Sequence, residues 1–238
     1  MSRIEFDGAG VDVLDGAGAP REILSGVSLT LTEQRIAVVG ANGSGKSTLL
    51  RLLNGLVLPT RGAVRVDGLD TRTAGAKVRR IVGFGFTDPL SQLVMPTPRE
   101  DVELSLRRVH RDRKERRRTA QALLANFGLE RLADQSIYEL SGGERQLLAL
   151  VTLLAVEPRV LVLDEPSTLL DLRNRELLRR VLSGLAQQVV FSTHDLELAL
   201  DAERVLVVDD GGIVFDGAPH EAVDRYRTLA GARDPGAP

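Results

Sequence analysis

Apolar and polar residues alternate along the first 39 positions, with Ile4 and Phe6, then Val27, Leu29 and Leu31, at every second place. That is the period of a strand with one buried face. Gly8, Gly10, Gly16 and Gly18 interrupt the alternation and predict a turn. Gly62-Ala63-Val64-Arg65-Val66-Asp67-Gly68 is a further short strand between turn signals. Between about residues 88 and 156 the pattern becomes helical. Thr97-Pro98-Arg99-Glu100 places an N-cap threonine, a proline at the first helical position and a glutamate at the third, so a helix starts there. Another runs to about Phe127, with Gly128 as its stop. Strand and helix then alternate: a strand at 160–163, a helix at 173–185, a strand at 189–192, a short helix from Leu196 and a strand at 204–208. This rhythm predicts an α/β fold around a mostly parallel sheet.

Two segments in this framework are suited to phosphate. Gly40-Ala41-Asn42-Gly43-Ser44-Gly45-Lys46-Ser47-Thr48 follows the apolar Ile36-Ala37-Val38-Val39 and leads into the helical Leu49-Leu50-Arg51-Leu52-Leu53. Its residues fit the glycine-rich phosphate loop, G-x-x-x-x-G-K-[ST], in the strand–loop–helix setting that loop requires. Glycines let successive N–H groups turn inward on an anion, and the helix that follows adds its positive end. Lys46 would reach the β- and γ-phosphates, and the Ser47 hydroxyl would ligate Mg²⁺. In the second segment, Leu140-Ser141-Gly142-Gly143-Glu144, Ser141 and Glu144 form a capping box ahead of a long apolar run. Gly142 and Gly143 leave the first amides of that helix open to an anion. Taken alone, such a cap is equally well an ordinary helix start. Arg159-Val160-Leu161-Val162-Leu163-Asp164-Glu165-Pro166 follows, a buried-strand pattern ending in two carboxylates, where ligand sites of α/β sheets form.

With these segments in this order, the chain resembles the ATP-binding-cassette (ABC) ATPases from about Ile4 to about Asp216. Residues 40–48 resemble the family's Walker A loop, 140–144 its signature, 160–165 its Walker B strand and 167–171 its D-loop. Ser192-Thr193-His194-Asp195 resembles the segment of its switch histidine. The resemblance implies the P-loop ABC fold, a mostly parallel core with an antiparallel β subdomain and an inserted helical subdomain. It divides a single nucleotide-binding domain, residues 1–238, into a catalytic core with the β subdomain at about 1–86 and 157–220, a helical subdomain at about 88–156 and a C-terminal tail at about 221–238. ATP and Mg²⁺ are the implied ligands. Asp164 would hold the metal, Glu165 would polarise the attacking water as general base, and His194 would touch the γ-phosphate. The signature then serves the ATP held by a second ATPase subunit packed head-to-tail, a copy of this chain or a paralogue, with Asp171 bridging the interface. His110 and His220 lack such a setting and are expected at the surface.

Composition sets limits. A chain of 238 residues, 43% hydrophobic and without an internal repeat, suits one such domain rather than a fused pair. Its longest nearly continuous apolar run, residues 147–156 with Thr152 as the one polar member, is ten residues long and too short to span a bilayer. An acidic residue arrives as early as Glu5, which argues against an export leader. The absence of cysteine excludes disulfides and thiolate metal sites, and a net charge of −2 argues against a nucleic-acid partner. The run at 107–118, with eight arginines and lysines and two acids, reads first as a solvated helix face, with a polybasic face toward anionic lipid heads and a nucleic-acid surface as the alternatives.

Three positions depart from the family pattern. Thr87 stands where a glutamine reaches the metal and γ-phosphate, so it would touch the metal only through water or after a loop shift, and slower hydrolysis or altered coupling follows. No aromatic residue lies between Asp7 and Ile36 to stack on adenine, which leaves Phe6 or Val11 as candidates. Glu33-Gln34 replaces a glycine–glutamate turn. Within the family, Thr87-Asp88-Pro89-Leu90-Ser91-Gln92-Leu93 followed by Pro96-Thr97-Pro98-Arg99-Glu100-Asp101-Val102 is similar to the energy-coupling-factor (ECF) importers. In these, that segment faces the coupling helices of a transmembrane subunit. The resemblance implies a peripheral protein at the cytoplasmic face of the cell membrane, linked through that subunit to a substrate-binding membrane protein. Thr-Asp before the proline and the compact length favour the biotin type over the cobalt or nickel type. The other classes to weigh are a soluble ABC ATPase outside transport and a non-catalytic cassette, the latter disfavoured by Lys46 and Glu165.

Overall fold

A computed structural model describes residues 1–14, 16 and 18–232. In chain order, the N-terminal part forms β1 (Ile4–Leu14), β2 (Pro20–Leu31), β3 (Arg35–Val39), α1 (Lys46–Leu52), β4 (Arg61–Val66), β5 (Leu69–Asp70), α2 (Gly75–Ile81) and β6 (Val82–Gly85). The helical stretch supplies α3 (Pro98–Leu106), α4 (Arg113–Asn126) and α5 (Gly142–Leu154). The remainder forms β7 (Val160–Asp164), α6 (Leu172–Gly184), β8 (Gln188–Ser192), α7 (Leu196–Leu200), β9 (Arg204–Asp209), β10 (Gly212–Gly217) and α8 (Pro219–Ala232).

These strands make two sheets. One is antiparallel, in the order β2-β1-β4-β5. The other runs β10-β9-β3-β8-β7-β6, parallel throughout except for the β9–β10 pair. β3, β7 and β8 are buried along their whole length, so both faces of the parallel sheet must be covered, and the alternation of side chains shows how. Ile36 and Val38 of β3, Val160 and Val162 of β7 and Leu206 and Val208 of β9 pack with the antiparallel sheet and α1. Ala37, Val39, Leu161, Leu163, Val205 and Val207 face the other way, into a core shared with α3 to α8. The predicted α/β architecture is therefore realised as a parallel sheet between a β layer and a helical layer.

The helix signals work as their chemistry requires. Thr97 accepts the N–H of Glu100, and α4 ends ahead of Gly128, which takes the left-handed φ of 71° that other residues resist. The basic run begins at the C-cap of α3, crosses the connection and ends in the first turns of α4, where Asp112 caps the helix. His220 is exposed, and His110 is partly exposed with its Nδ1 3.2 Å from Glu115. The segment expected as a C-terminal tail is helical up to Ala232 and buries Ala222 and Val223, while 233–238 lie outside the described residues.

The strand order decides the geometry of the site. β8 lies between β3 and β7, with Ser192 level with Val38 on one side and Asp164 on the other. The ends of these three neighbouring strands deliver the phosphate loop, the carboxylate pair and the histidine to one edge of the sheet.

Candidate functional site

The loop after β3 folds tightly enough to require its glycines. A Cβ on Gly40 would stand 2.2 Å from the carbonyl oxygen of Val208, and Gly45, at φ 108°, would press one against Leu24 at 2.8 Å. The far side of the loop is braced by the β9–β10 turn, where the Gly211 N–H donates to the Ser44 carbonyl at 3.0 Å and Ser25 N–H to the Gly211 carbonyl at 2.9 Å. Inside the curl, Lys46 is 6% exposed and donates to the carbonyls of Gly40 at 2.8 Å and Ala41 at 3.0 Å. Burial pushes its pKa down, against the pull of Glu165 and Asp164. A buried ammonium with only neutral acceptors of its own loop, beside a buried Ser44 hydroxyl with no partner, is a cradle that suits a multiply charged anion.

Asp164 is buried at the end of β7, and its Oδ1 accepts from Ser47 Oγ at 3.0 Å and Ser192 Oγ at 2.8 Å. Arg51, one helical turn beyond Ser47, approaches Oδ2 at 3.7 Å. Two hard oxygen donors, a serine hydroxyl and a carboxylate, thus meet beside the cradle, a donor set that suits Mg²⁺. Glu165 follows with φ 55°, a left-handed conformation uncommon for a glutamate. Its N–H donates to Ser192 Oγ at 3.0 Å, and its Oε2 meets the backbone N–H of His194 at 3.2 Å and the ring Nδ1 at 2.7 Å. Ser192 therefore holds both carboxylate residues from the neighbouring strand. The pattern of the sequence marked its segment but not this role, because the role depends on β8 lying between β3 and β7.

Ser141 caps α5 in a complete capping box, its Oγ accepting from the Glu144 N–H at 3.2 Å while the Glu144 carboxylate accepts from the Ser141 N–H at 2.7 Å. Ser141 itself is exposed. Gly143 corrects one expectation: it is buried rather than open, under the turn between β7 and α6, where a Cβ would lie 3.0 Å from Asn174 Nδ2 and 3.6 Å from the Leu169 carbonyl. Gly142 is half-buried beside Leu169. Asp171 caps α6 by accepting the Asn174 N–H at 2.8 Å, a structural task alongside the one expected of it. Thr87 is exposed at the end of β6, and neither Ser47 nor Asp164 bonds to it. Phe6 and Val11 are both buried in the core between the sheets and cannot present a face to adenine without unfolding β1, so both candidates are withdrawn.

A family profile described as "ABC transporter" matches residues 24–168. The chain is 44% identical over 227 residues to the biotin transport ATP-binding protein BioM of Rhizobium etli, spanning 95% of this chain and 99% of that one. It is 39% identical over 212 residues to BioM of Rhodobacter capsulatus, covering 89% of each. Among solved structures it is similar to the ATP-binding cassette MJ0796 in a dimeric post-hydrolysis state bound to ADP and Pi, with a TM-score of 0.82, 29% identity and coverage of 91% of this chain and 98% of that one. It is also similar to cbiO1 of Clostridium perfringens, part of the ABC transporter complex cbiONQ, at TM-score 0.79 and 26% identity, over 98% of this chain and 95% of that one. The phosphate cradle, carboxylate pair and capped α5 on this sheet define a nucleotide-hydrolysing cassette, and the chain belongs to the ABC transporter family. It is an ATP-binding ATPase of the kind that powers transport. ATPases of this family dimerise and work with transmembrane subunits, and no helix among the described residues is long and apolar enough to cross a membrane.

Proposed function

We propose that this chain is the ATP-hydrolysing subunit of an ECF-type importer, that it powers uptake of a vitamin, biotin being favoured, and that it acts at the cytoplasmic face of the membrane. The observation that carries this reading is the 44% identity to the R. etli biotin transport protein over 95% of the chain. The docking segment agrees with it: Leu90 and Val94, 37% and 69% exposed, offer apolar contact to a membrane subunit.

The geometry supports a division of labour. Lys46 exchanges two neutral carbonyls for charged phosphate oxygens, a stronger class of hydrogen bond. The N–H groups of residues 41–48 surround the phosphates, and Ser47 and Asp164 hold Mg²⁺, which when bound neutralises charge on the phosphates. Glu165 is the base. His194 occupies Oε2 through two N–H contacts when its proton is on Nδ1, which leaves Oε1 to take a proton from water. Thr87, exposed and bonded to neither Ser47 nor Asp164, is left out of this donor set. A second chain, identical or paralogous, presents Ser141 and the α5 N-terminus to this ATP, and Asp171 lies at the seam. The whole chain acts as one domain, with 88–156 as its helical subdomain.

The test is affinity purification from native membranes, identification of the bound subunits, and uptake of biotin, cobalt and nickel by cells carrying wild-type or Lys46→Ala protein. Recovery of a polytopic coupling subunit, with biotin uptake lost in Lys46→Ala, is expected. Metal uptake lost in its place would move the chain to the metal importers, and recovery of no membrane protein would leave a soluble ABC ATPase.

A further inference from the structure

We propose that Gln92 is a positioning residue that fastens the transporter-docking segment to α5, so that a membrane subunit acts on the signature end of this chain rather than through Thr87 on its own metal site. This rests on the importer reading. The Gln92 side chain donates from Nε2 to the Ala149 carbonyl at 2.7 Å and meets Thr152 Oγ1 at 3.1 Å. Thr152 Oγ1 in turn donates to the same carbonyl at 2.8 Å, so three groups lock together in the middle of α5. A carbonyl only accepts, which fixes the orientation of the Gln92 amide.

Two further ties hold the segment to the same subdomain. Asp101, buried on α3, accepts the Val94 and Met95 N–H groups on one oxygen at 2.8 Å each. The Ile137 N–H, four residues before Ser141, donates to the Pro96 carbonyl at 3.0 Å. Leu93 is buried in the core that also contains Leu147, Leu148 and Val151 of α5. The docking segment is thus bonded to α3, to the approach to the signature and to α5, while Thr87, its link to the catalytic core, is exposed and bonds to neither Ser47 nor Asp164. Ala149 lies seven residues past Gly142 on the same helix, about 10 Å along a rigid rod. Displacement of Leu90 or Val94 by a partner therefore moves Ser141 and Gly142, which serve the opposing nucleotide.

The experiment compares ATP turnover with and without the membrane subunits for wild-type, Gln92→Leu and Thr152→Val proteins. It is paired with hydrogen exchange at the amides of residues 143–145 in free and assembled wild type. The ratio of assembled to free turnover should fall by about fivefold or more in Gln92→Leu and by less in Thr152→Val, which keeps the Ala149 acceptor. Assembly should slow exchange at 143–145 in wild type and not in Gln92→Leu. An unchanged ratio in Gln92→Leu protein that still co-purifies with its partners would overturn the relay alone. Equal exchange at 143–145 in free and assembled wild type would do the same, whether or not the variant folds. A wild-type chain that recruits no membrane subunit would remove the importer reading and the relay with it.

Discussion

Replacing Ser192 by alanine removes a single hydroxyl, yet that oxygen both donates to Asp164 at 2.8 Å and accepts from the Glu165 N–H at 3.0 Å, in a fully buried position. Loss of a hydrogen bond to a carboxylate costs about 1.5–3 kcal/mol, and an orphaned buried N–H about 1–3 kcal/mol. The two share one atom and are not additive, so a stability loss of about 2–4 kcal/mol is expected. Glu165 holds a left-handed φ of 55°, a strain of about 1–3 kcal/mol that persists only while neighbours impose it. Without Ser192 the residue relaxes, and its carboxylate leaves the position from which it takes a proton. We expect kcat to fall by about 10- to 100-fold, equivalent to about 1.4–2.7 kcal/mol. KM for ATP should stay within about threefold, because the Ser192 hydroxyl bonds to Asp164 and Glu165 and to no residue of the phosphate loop. Single-turnover hydrolysis and equilibrium unfolding on one preparation give both numbers. A kcat within about twofold of wild type, with the unfolding midpoint displaced as expected, would refute the positioning role of Ser192.

Three other substitutions probe separate parts of the site. Gly40→Ala puts a Cβ 2.2 Å from the Val208 carbonyl and 2.7 Å from Ser44 Oγ. It should weaken ATP binding by about tenfold or more in a folded protein, and an unchanged fluorescent-nucleotide titration would contradict the cradle. Thr87→Gln should raise turnover in the assembled complex by restoring reach to the metal, an idea that equal rates would defeat. Burial pushes the Asp101 carboxyl above its ordinary 3.8 despite two N–H donors, so the folded chain holds that proton more tightly than the unfolded one. Its contribution to stability is lost as pH rises from 3.8 through the raised value. Asp101→Asn keeps the accepting oxygen without the charge, and should flatten that acid-range slope and leave stability near neutral pH equal or higher; a loss of more than about 1 kcal/mol would show that the charge is needed.

The parallel core was legible because β3, β7 and β8 are apolar on both faces, and the phosphate loop because its spacing has few other uses. Thr97 and Gly128 marked helix ends through chemistry local to each terminus. β10 and α8 were not legible, since β10 pairs only with β9 and α8 buries just Ala222 and Val223, leaving weak periodicity. α2 escaped notice for the same reason, with Val78 its one buried residue. In the site, the meeting of Lys46, Ser47, Asp164 and Glu165 at one end of the sheet could be anticipated from the order of their segments. The bridge through Ser192, the buried position of Gly143 and the Gln92 tie could not, because each depends on which distant segment packs beside it.

The central claim is that one chain's Ser141 completes the site built around another's Lys46. Its most direct measurement is the structure of Glu165→Gln protein, saturated with Mg-ATP and assembled with its membrane subunits. The account predicts a closed pair with each Ser141 against the phosphates of the nucleotide held by the opposite Lys46. A nucleotide-saturated complex in which every Ser141 stays remote from the opposing phosphates would contradict it.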